Sequence, residues 1–194
     1  RSLSIISSLL LTYMLFSSTT ANSKQPKIHQ KLFCRFHEVY KNRYACTVEV
    51  ATIGLDGGEI LSKIFEKPSD LQLSDVKVFD VDPAKVFDPR QVSIKVLSRL
   101  ILSRYEEVEV VALNNVEMEI ITDDAFSDNK KLKFVQLEYN NLVNLPNGVF
   151  KHCKDLIMLQ LSGNSISEIN KETFEGLKSL KILALEDNKL VTLE

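Results

Sequence analysis

Histidine is scarce in this chain, three among 194 residues, and no set of titratable groups converges in the sequence on which acid and base catalysis could stand. A glycine-rich phosphate loop, a G-x-S-x-G elbow and an H-E-x-x-H metal motif are all missing. Neither catalytic residues nor a cofactor is therefore expected. Charge of one sign is not in excess: 24 basic against 26 acidic residues leave a net charge of -2 and a pI near 6.0, so nucleic acid is not an expected partner. No N-x-[ST] sequence occurs, which argues against N-glycosylation. Glycine and proline, six and five residues, serve as punctuation, with a turn at Gly57-Gly58 and loops at Asp80-Val81-Asp82-Pro83 and Asp88-Pro89-Arg90.

Long apolar runs are also lacking. The stretch from Leu3 to Phe16 is interspersed with serines and is too short for a bilayer-spanning helix, which needs roughly 20 residues. It is followed by small polar residues from Ser17 to Ser23, with possible cleavage at Thr19-Thr20-Ala21 or Ala21-Asn22-Ser23. Residues 1–23 thus look like a signal peptide and imply a secreted or extracellular setting, with no membrane span. The chain starts at Arg1 and stops at Glu194, just past a repeat position described next. A fragment of a longer secreted protein or receptor ectodomain is expected.

What the sequence has in abundance is leucine at a fixed period. Leu132, Leu156 and Leu180 open three copies of one pattern, LKFVQLEYNNLVNL, LIMLQLSGNSISEI and LKILALEDNKLVTL. Apolar residues recur at the fourth position (Val135, Leu159, Leu183), the sixth (Leu137, Leu161, Leu185), the eleventh (Leu142, Ile166, Leu190) and the fourteenth (Leu145, Ile169, Leu193). Asparagine holds the ninth, as Asn140, Asn164 and Asn188, and phenylalanine the nineteenth, as Phe150 and Phe174. A unit this short cannot bury its own apolar face, so units must stack into a solenoid. Alternation from the third to the seventh position predicts a short strand with the fourth and sixth residues inward. Each asparagine amide is expected to bond interior backbone groups and so build a ladder.

These residues fit L-x-x-L-x-L-x-x-N-x-L over 132–194, and the chain resembles the leucine-rich repeat family in its typical 24-residue subclass. The resemblance implies an α/β leucine-rich repeat solenoid, with a curved parallel sheet on the concave face and loops or short helices on the convex face. A weaker copy starts at Val108, with Val111, Leu113, Met118, Ile121 and Phe126 in place, but Val116 stands where the asparagine should. A distorted unit starts at Val76, separated from Val108 by 32 residues. Between them Ile94, Leu97, Ile101 and Leu102 fall at helical spacing, which predicts an outer-face helix within residues 92–105, or else a buried linker. The expected division is signal 1–23, cap 24–75 and repeats 76–194.

Three cysteines suit an oxidising compartment. Cys34 and Cys46 lie in two apolar-aromatic runs flanking Lys41-Asn42-Arg43, a pattern that predicts a hairpin with one cysteine on each arm. A disulfide between them is expected, contributing about 2–3 kcal/mol by constraining the unfolded chain. Extracellular leucine-rich repeat proteins carry cysteine-containing N-terminal caps, and the resemblance implies that role here, although their usual four-cysteine pattern is absent. Cys153, at the twenty-second position where Leu177 stands in the next copy, is expected to be a buried free thiol, with a partner in a missing segment as the alternative. Cys34-x-x-His37 and His152-Cys153 do not supply the four ligands of a structural zinc site, so no metal is expected.

The outward residues of the strands are the candidate binding face. At the third position Val110, Phe134, Met158 and Ile182 form an apolar column. Beside it run Ala112, Gln136, Gln160 and Ala184, then Asn114, Glu138, Ser162 and Glu186, then Asn115, Tyr139, Gly163 and Asp187. An apolar stripe with a polar rim is the composition of a protein-binding surface, with Phe134, Tyr139 and Met158 as anchors. Packing between adjacent strands would favour the same residues. The expected function is extracellular recognition of a protein or peptide ligand on the concave face. The alternatives are a self-associating adhesive matrix component and the ectodomain of a receptor.

Overall fold

The computed structural model of the chain describes residues 30–40, 43–53, 60–65, 76–80 and 92–193. Strands β1 (Gln30–Tyr40) and β2 (Arg43–Ile53) form the expected antiparallel hairpin, and β3 (Ile60–Phe65) adds to β1 in parallel. Strand β4 (Val76–Asp80) pairs with the first half of β2, and β5 (Val92–Ile94) with its last residues. One long strand therefore spans both edges of the first coil. The hairpin lies across the end of the stack, where the apolar edge of a solenoid would otherwise meet water.

Beyond the hairpin the sheet is built by repetition. Short strand β6 (Val96–Leu97) and the single-turn helix α1 (Arg99–Leu102) lead into β7 (Val110–Ala112) and β8 (Ile120–Ile121). Then follow β9 (Phe134–Gln136), β10 (Met158–Gln160), β11 (Glu168–Ile169), β12 (Ile182–Ala184) and β13 (Thr192–Leu193). The main sheet runs β12-β10-β9-β7-β4-β2-β1-β3, and everything from β2 to β12 is parallel. Val110, Phe134, Met158 and Ile182 share one register, so the 24-residue period of the sequence is the period of the sheet. Val78 pairs with Val110, which confirms the stretched spacing between the first two coils.

Each strand is three residues long because the chain turns sharply at the eighth repeat position. Asn115, Tyr139, Gly163 and Asp187 all adopt positive φ there, between 54° and 71°. This left-handed conformation suits glycine and is tolerated by asparagine and aspartate. Inside the turn the fourth, sixth and eleventh positions of the copies from Val108, Leu132 and Leu156 are wholly buried. Each such aliphatic side chain contributes about 1.5–3 kcal/mol relative to exposure. Phe126 and Phe150 stack at the nineteenth position with centroids 5.4 Å apart. In the last copy Leu183 is 39% exposed, since the inward face of that coil is not covered on its far side.

The ninth-position asparagines hydrogen-bond interior backbone groups in a ladder. Asn140 Oδ1 accepts from the backbone N–H groups of Val116 and Met118, and its Nδ2 donates to the carbonyls of Leu113 and Leu137. Asn164 accepts from Leu142 N–H and donates to Leu137 and Leu161; Asn188 accepts from Ile166 N–H and donates to Leu161 and Leu185. The ladder begins at Asn140, because Val116 in the preceding copy has no amide to give. On the convex side a second ladder is interrupted. Thr122 N–H donates to Leu97 O, and the equivalent place in the next copy is Pro146, which has no N–H. The pairs β6–β8 and β11–β13 are consequently separate sheets.

The outer-face helix expected within 92–105 does not form, apart from the one turn of α1. Ile94, Leu97 and Ile101 are three and four residues apart, as in a helix, yet Val92 and Ile94 also alternate. Pairing of β5 with β2 and of β6 with β8 satisfies this backbone on its neighbours instead. All of Val92, Ile94, Leu97, Ile101 and Leu102 are buried, so the core assignment stands while the element type does not.

Asn129 is a buried group that the sequence pattern did not single out. It precedes Cys153 by one period, and its Nδ2 donates to the carbonyls of Leu102 and Tyr105, tying the irregular segment after α1 to the repeat body. Tyr105 carries this connection on to the cap. Its ring lies 5.3 Å from that of Phe79 and its hydroxyl 3.7 Å from Cys46 Sγ, and burial pushes the phenol up to about 12. Cys153 is a free, buried thiol, likewise pushed up to about 12 by burial. In the hairpin Cys34 opposes Val48 and Cys46 opposes Phe36, which makes the two cysteines diagonal neighbours. Residues 1–23 and the side chain of Cys34 lie outside the described residues.

Candidate functional site

The concave face is assembled from the outward residues of β7, β9, β10 and β12, held level by the parallel register. In the apolar column Val110, Phe134 and Met158 are half-buried, and Ile182 is 47% exposed. The partial burial comes from their neighbours on adjacent strands, about 4.8 Å away in any sheet, and leaves one flank of each side chain facing solvent. The structure brings all four together in one line.

Next to this column Gln136 Nε2 donates to Gln160 Oε1 at 2.6 Å. The pairing ties the two amides together, and neither Gln136 Oε1 nor Gln160 Nε2 has a hydrogen-bond partner among the described residues. Ala112 and Ala184 flank the pair, so it stands between small residues on either side. On the edge at the second repeat position Lys133 and Glu109 form an ion pair at 3.0 Å. Its half-exposed partners give it a contribution of at most about 1 kcal/mol.

The opposite edge carries different chemistry. Glu138, Glu186 and Asp187 stand there, and none of the three is in an ion pair among the described residues. Ser162 Oγ donates to Glu186 Oε2 at 2.6 Å, and this hydroxyl, with backbone N–H groups, holds the Glu186 carboxyl below its usual range. Tyr139 is 59% exposed with φ 55°. It is the residue of the eighth-position column least suited to left-handed backbone, a conformation that costs on the order of 1–2 kcal/mol. Its ring lies against Gly163, where a Cβ would meet Cδ1 at 2.5 Å. The column of Asn, Gly and Asp at this position signals the turn in the sequence; nothing there signals that Tyr139 would lie on Gly163.

With this geometry in hand, comparison with known proteins bears on the class. Residues 130–190 match the Leucine rich repeat family. No curated protein sequence matches the chain. Among solved structures, that of the LRIM1/APL1C complex aligns with a TM-score of 0.64 at 20% identity, covering 87% of this chain and 28% of that one. The APL1 leucine-rich repeat domain aligns with a TM-score of 0.53 at 21% identity, covering 84% and 44%. The chain thus spans less than half the length of these structures. It carries leucine-rich repeats and has the leucine-rich repeat solenoid fold, in which a parallel sheet dominates and helices are few.

Proposed function

We propose that the chain is a non-catalytic extracellular recognition module that binds a protein or peptide segment on the concave face of its repeats. The observation that carries this reading is the aligned column Val110, Phe134, Met158 and Ile182, apolar on a partly exposed face and bordered by the bonded amides of Gln136 and Gln160. A face of this kind offers burial to apolar side chains and hydrogen bonds to a main chain. That one of the similar structures is the LRIM1/APL1C complex supports a protein partner. In this reading residues 1–23 are a leader, 24–75 a cap stapled by a Cys34–Cys46 disulfide, and 76–194 the repeats, of the 24-residue subclass in the regular copies. The two cysteines stand on paired arms of one hairpin, which supports this part of the reading.

The test uses the chain as bait for extracellular fluid, beside thermal unfolding. Phe134→Ala should leave unfolding nearly unchanged, because the ring is only half-buried, and should weaken capture by more than about 1 kcal/mol. Loss of folding in this variant, or undiminished capture, would remove the case for the column.

A further inference from the structure

The acidic edge of the concave face holds two side chains that reach one dipeptide from the repeats on either side of it. From one side the Tyr139 ring covers Gly163. From the other, the Glu186 carboxylate turns back to the hydroxyl of Ser162. Ser162 and Gly163 are consecutive, so an exposed aromatic ring and a carboxylate converge on a notch floored by the two smallest side chains of the edge. Backbone bonds fix both approaches: Tyr139 N–H donates to Ser162 O, and Gly163 N–H to Glu186 O, each at 2.9 Å.

We propose that this notch receives a cationic side chain of the partner, an arginine or lysine stacked on the Tyr139 ring and neutralised by Glu186, with Glu138 on the near side. Aromatic faces attract cations through the ring quadrupole, and a carboxylate beside the ring adds a charge-assisted hydrogen bond. Charge supports the same occupant. Glu138, Glu186 and Asp187 meet no cation among the described residues, and the seventh and eighth positions of the regular copies contain no lysine or arginine. Such a site needs the ring to stay in place. The positive φ of Tyr139 and the bare Cα of Gly163 hold it there, since any side chain at 163 would push it off.

The proposal rests on the concave-face reading and adds to it the chemistry of one contact. The probe is a blocked pentapeptide with a central arginine between valines and serines, and its control has citrulline, equal in shape and uncharged. The full chain carries 13C-labelled tyrosine, with the Tyr139 ring signal assigned by its loss in Tyr139→Phe. Titration with the arginine peptide should shift that signal. The citrulline peptide should bind at least about tenfold more weakly, roughly one unit of 1.4 kcal/mol. Glu186→Gln keeps the shape and should weaken arginine binding at least about fivefold, with an unchanged circular dichroism spectrum, and added salt should weaken the wild type in the same way. Equal binding of the two peptides, or arginine binding that leaves the Tyr139 ring unmoved, would overturn the notch. Should Phe134→Ala still lose capture in that event, the notch alone has failed; should arginine binding succeed while Phe134→Ala captures normally, the notch stands and the apolar column does not.

Discussion

Replacing the ladder asparagines one at a time by alanine should give unequal losses, in an order set by which backbone groups have a second partner. In Asn164→Ala four hydrogen bonds disappear, yet Leu137 O still accepts from Asn140, Leu161 O from Asn188 and Ser162 O from Tyr139 N–H. Only the Leu142 N–H is left orphaned and buried, at about 1–3 kcal/mol. Asn140→Ala is worse. Val116 N–H and Met118 N–H both lose their acceptor, and Leu113 O loses the donor supplied by Asn140, with no asparagine in the earlier copy to replace it. At about 1 kcal/mol or more for each of three buried groups, the loss should be at least about 3 kcal/mol. In Asn188→Ala the Ile166 N–H loses an acceptor that sits in the half-buried last coil, where water can take the place of the amide, so the loss should stay below about 1 kcal/mol. Urea denaturation of the three variants, read as shifts in midpoint at constant m, should rank Asn140 first and Asn188 last. Equal losses at the three sites, or the largest at Asn188, would refute the ladder as the bearer of interior backbone satisfaction.

Other outcomes follow from the core and the cysteines. Phe150→Ala should open a cavity beside Phe126 and cost about 3–5 kcal/mol by chemical denaturation; a loss below about 1 kcal/mol would mean the column is not packed. Cys153 should resist a thiol reagent at neutral pH, because burial keeps it protonated with a pKa pushed up to about 12, and should react once urea unfolds the chain. Rapid labelling of the folded protein at Cys153 would contradict that burial. Non-reducing peptide mapping should find Cys34 joined to Cys46, and a cross-link of either to Cys153 would remove the cap as described.

The repeat region was legible because stacking places residues 24 apart in the same surroundings, so Leu, Asn and Phe recur wherever the surroundings demand them. The register of Phe134, Met158 and Ile182, the amide ladder and the stacked Phe126 and Phe150 all follow from that period. Legibility fails where the period does. The first coil is stretched to 32 residues between Val78 and Val110, and there the spacing of Ile94, Leu97 and Ile101 fitted a helix as well as the two short strands that form. Asn129 escaped notice because its column continues as Cys153 and Leu177, three residue types with nothing in common but burial. At the concave face, composition pointed to the apolar column and to Gln136 and Gln160. Only the geometry shows that the two amides bond each other and that Tyr139 lies over Gly163 toward the residue that holds Glu186.

In the proposed function, partners meet the concave sheet and not the convex side. The direct measurement is photo-cross-linking with benzoylphenylalanine placed at Phe134 in one protein and at the exposed Asn144, on the convex side, in another, each incubated with the same extracellular fluid. Position 134 should give a discrete adduct that unlabelled chain competes away, and position 144 none. An adduct from position 144 alone, or equal labelling from both, would contradict it.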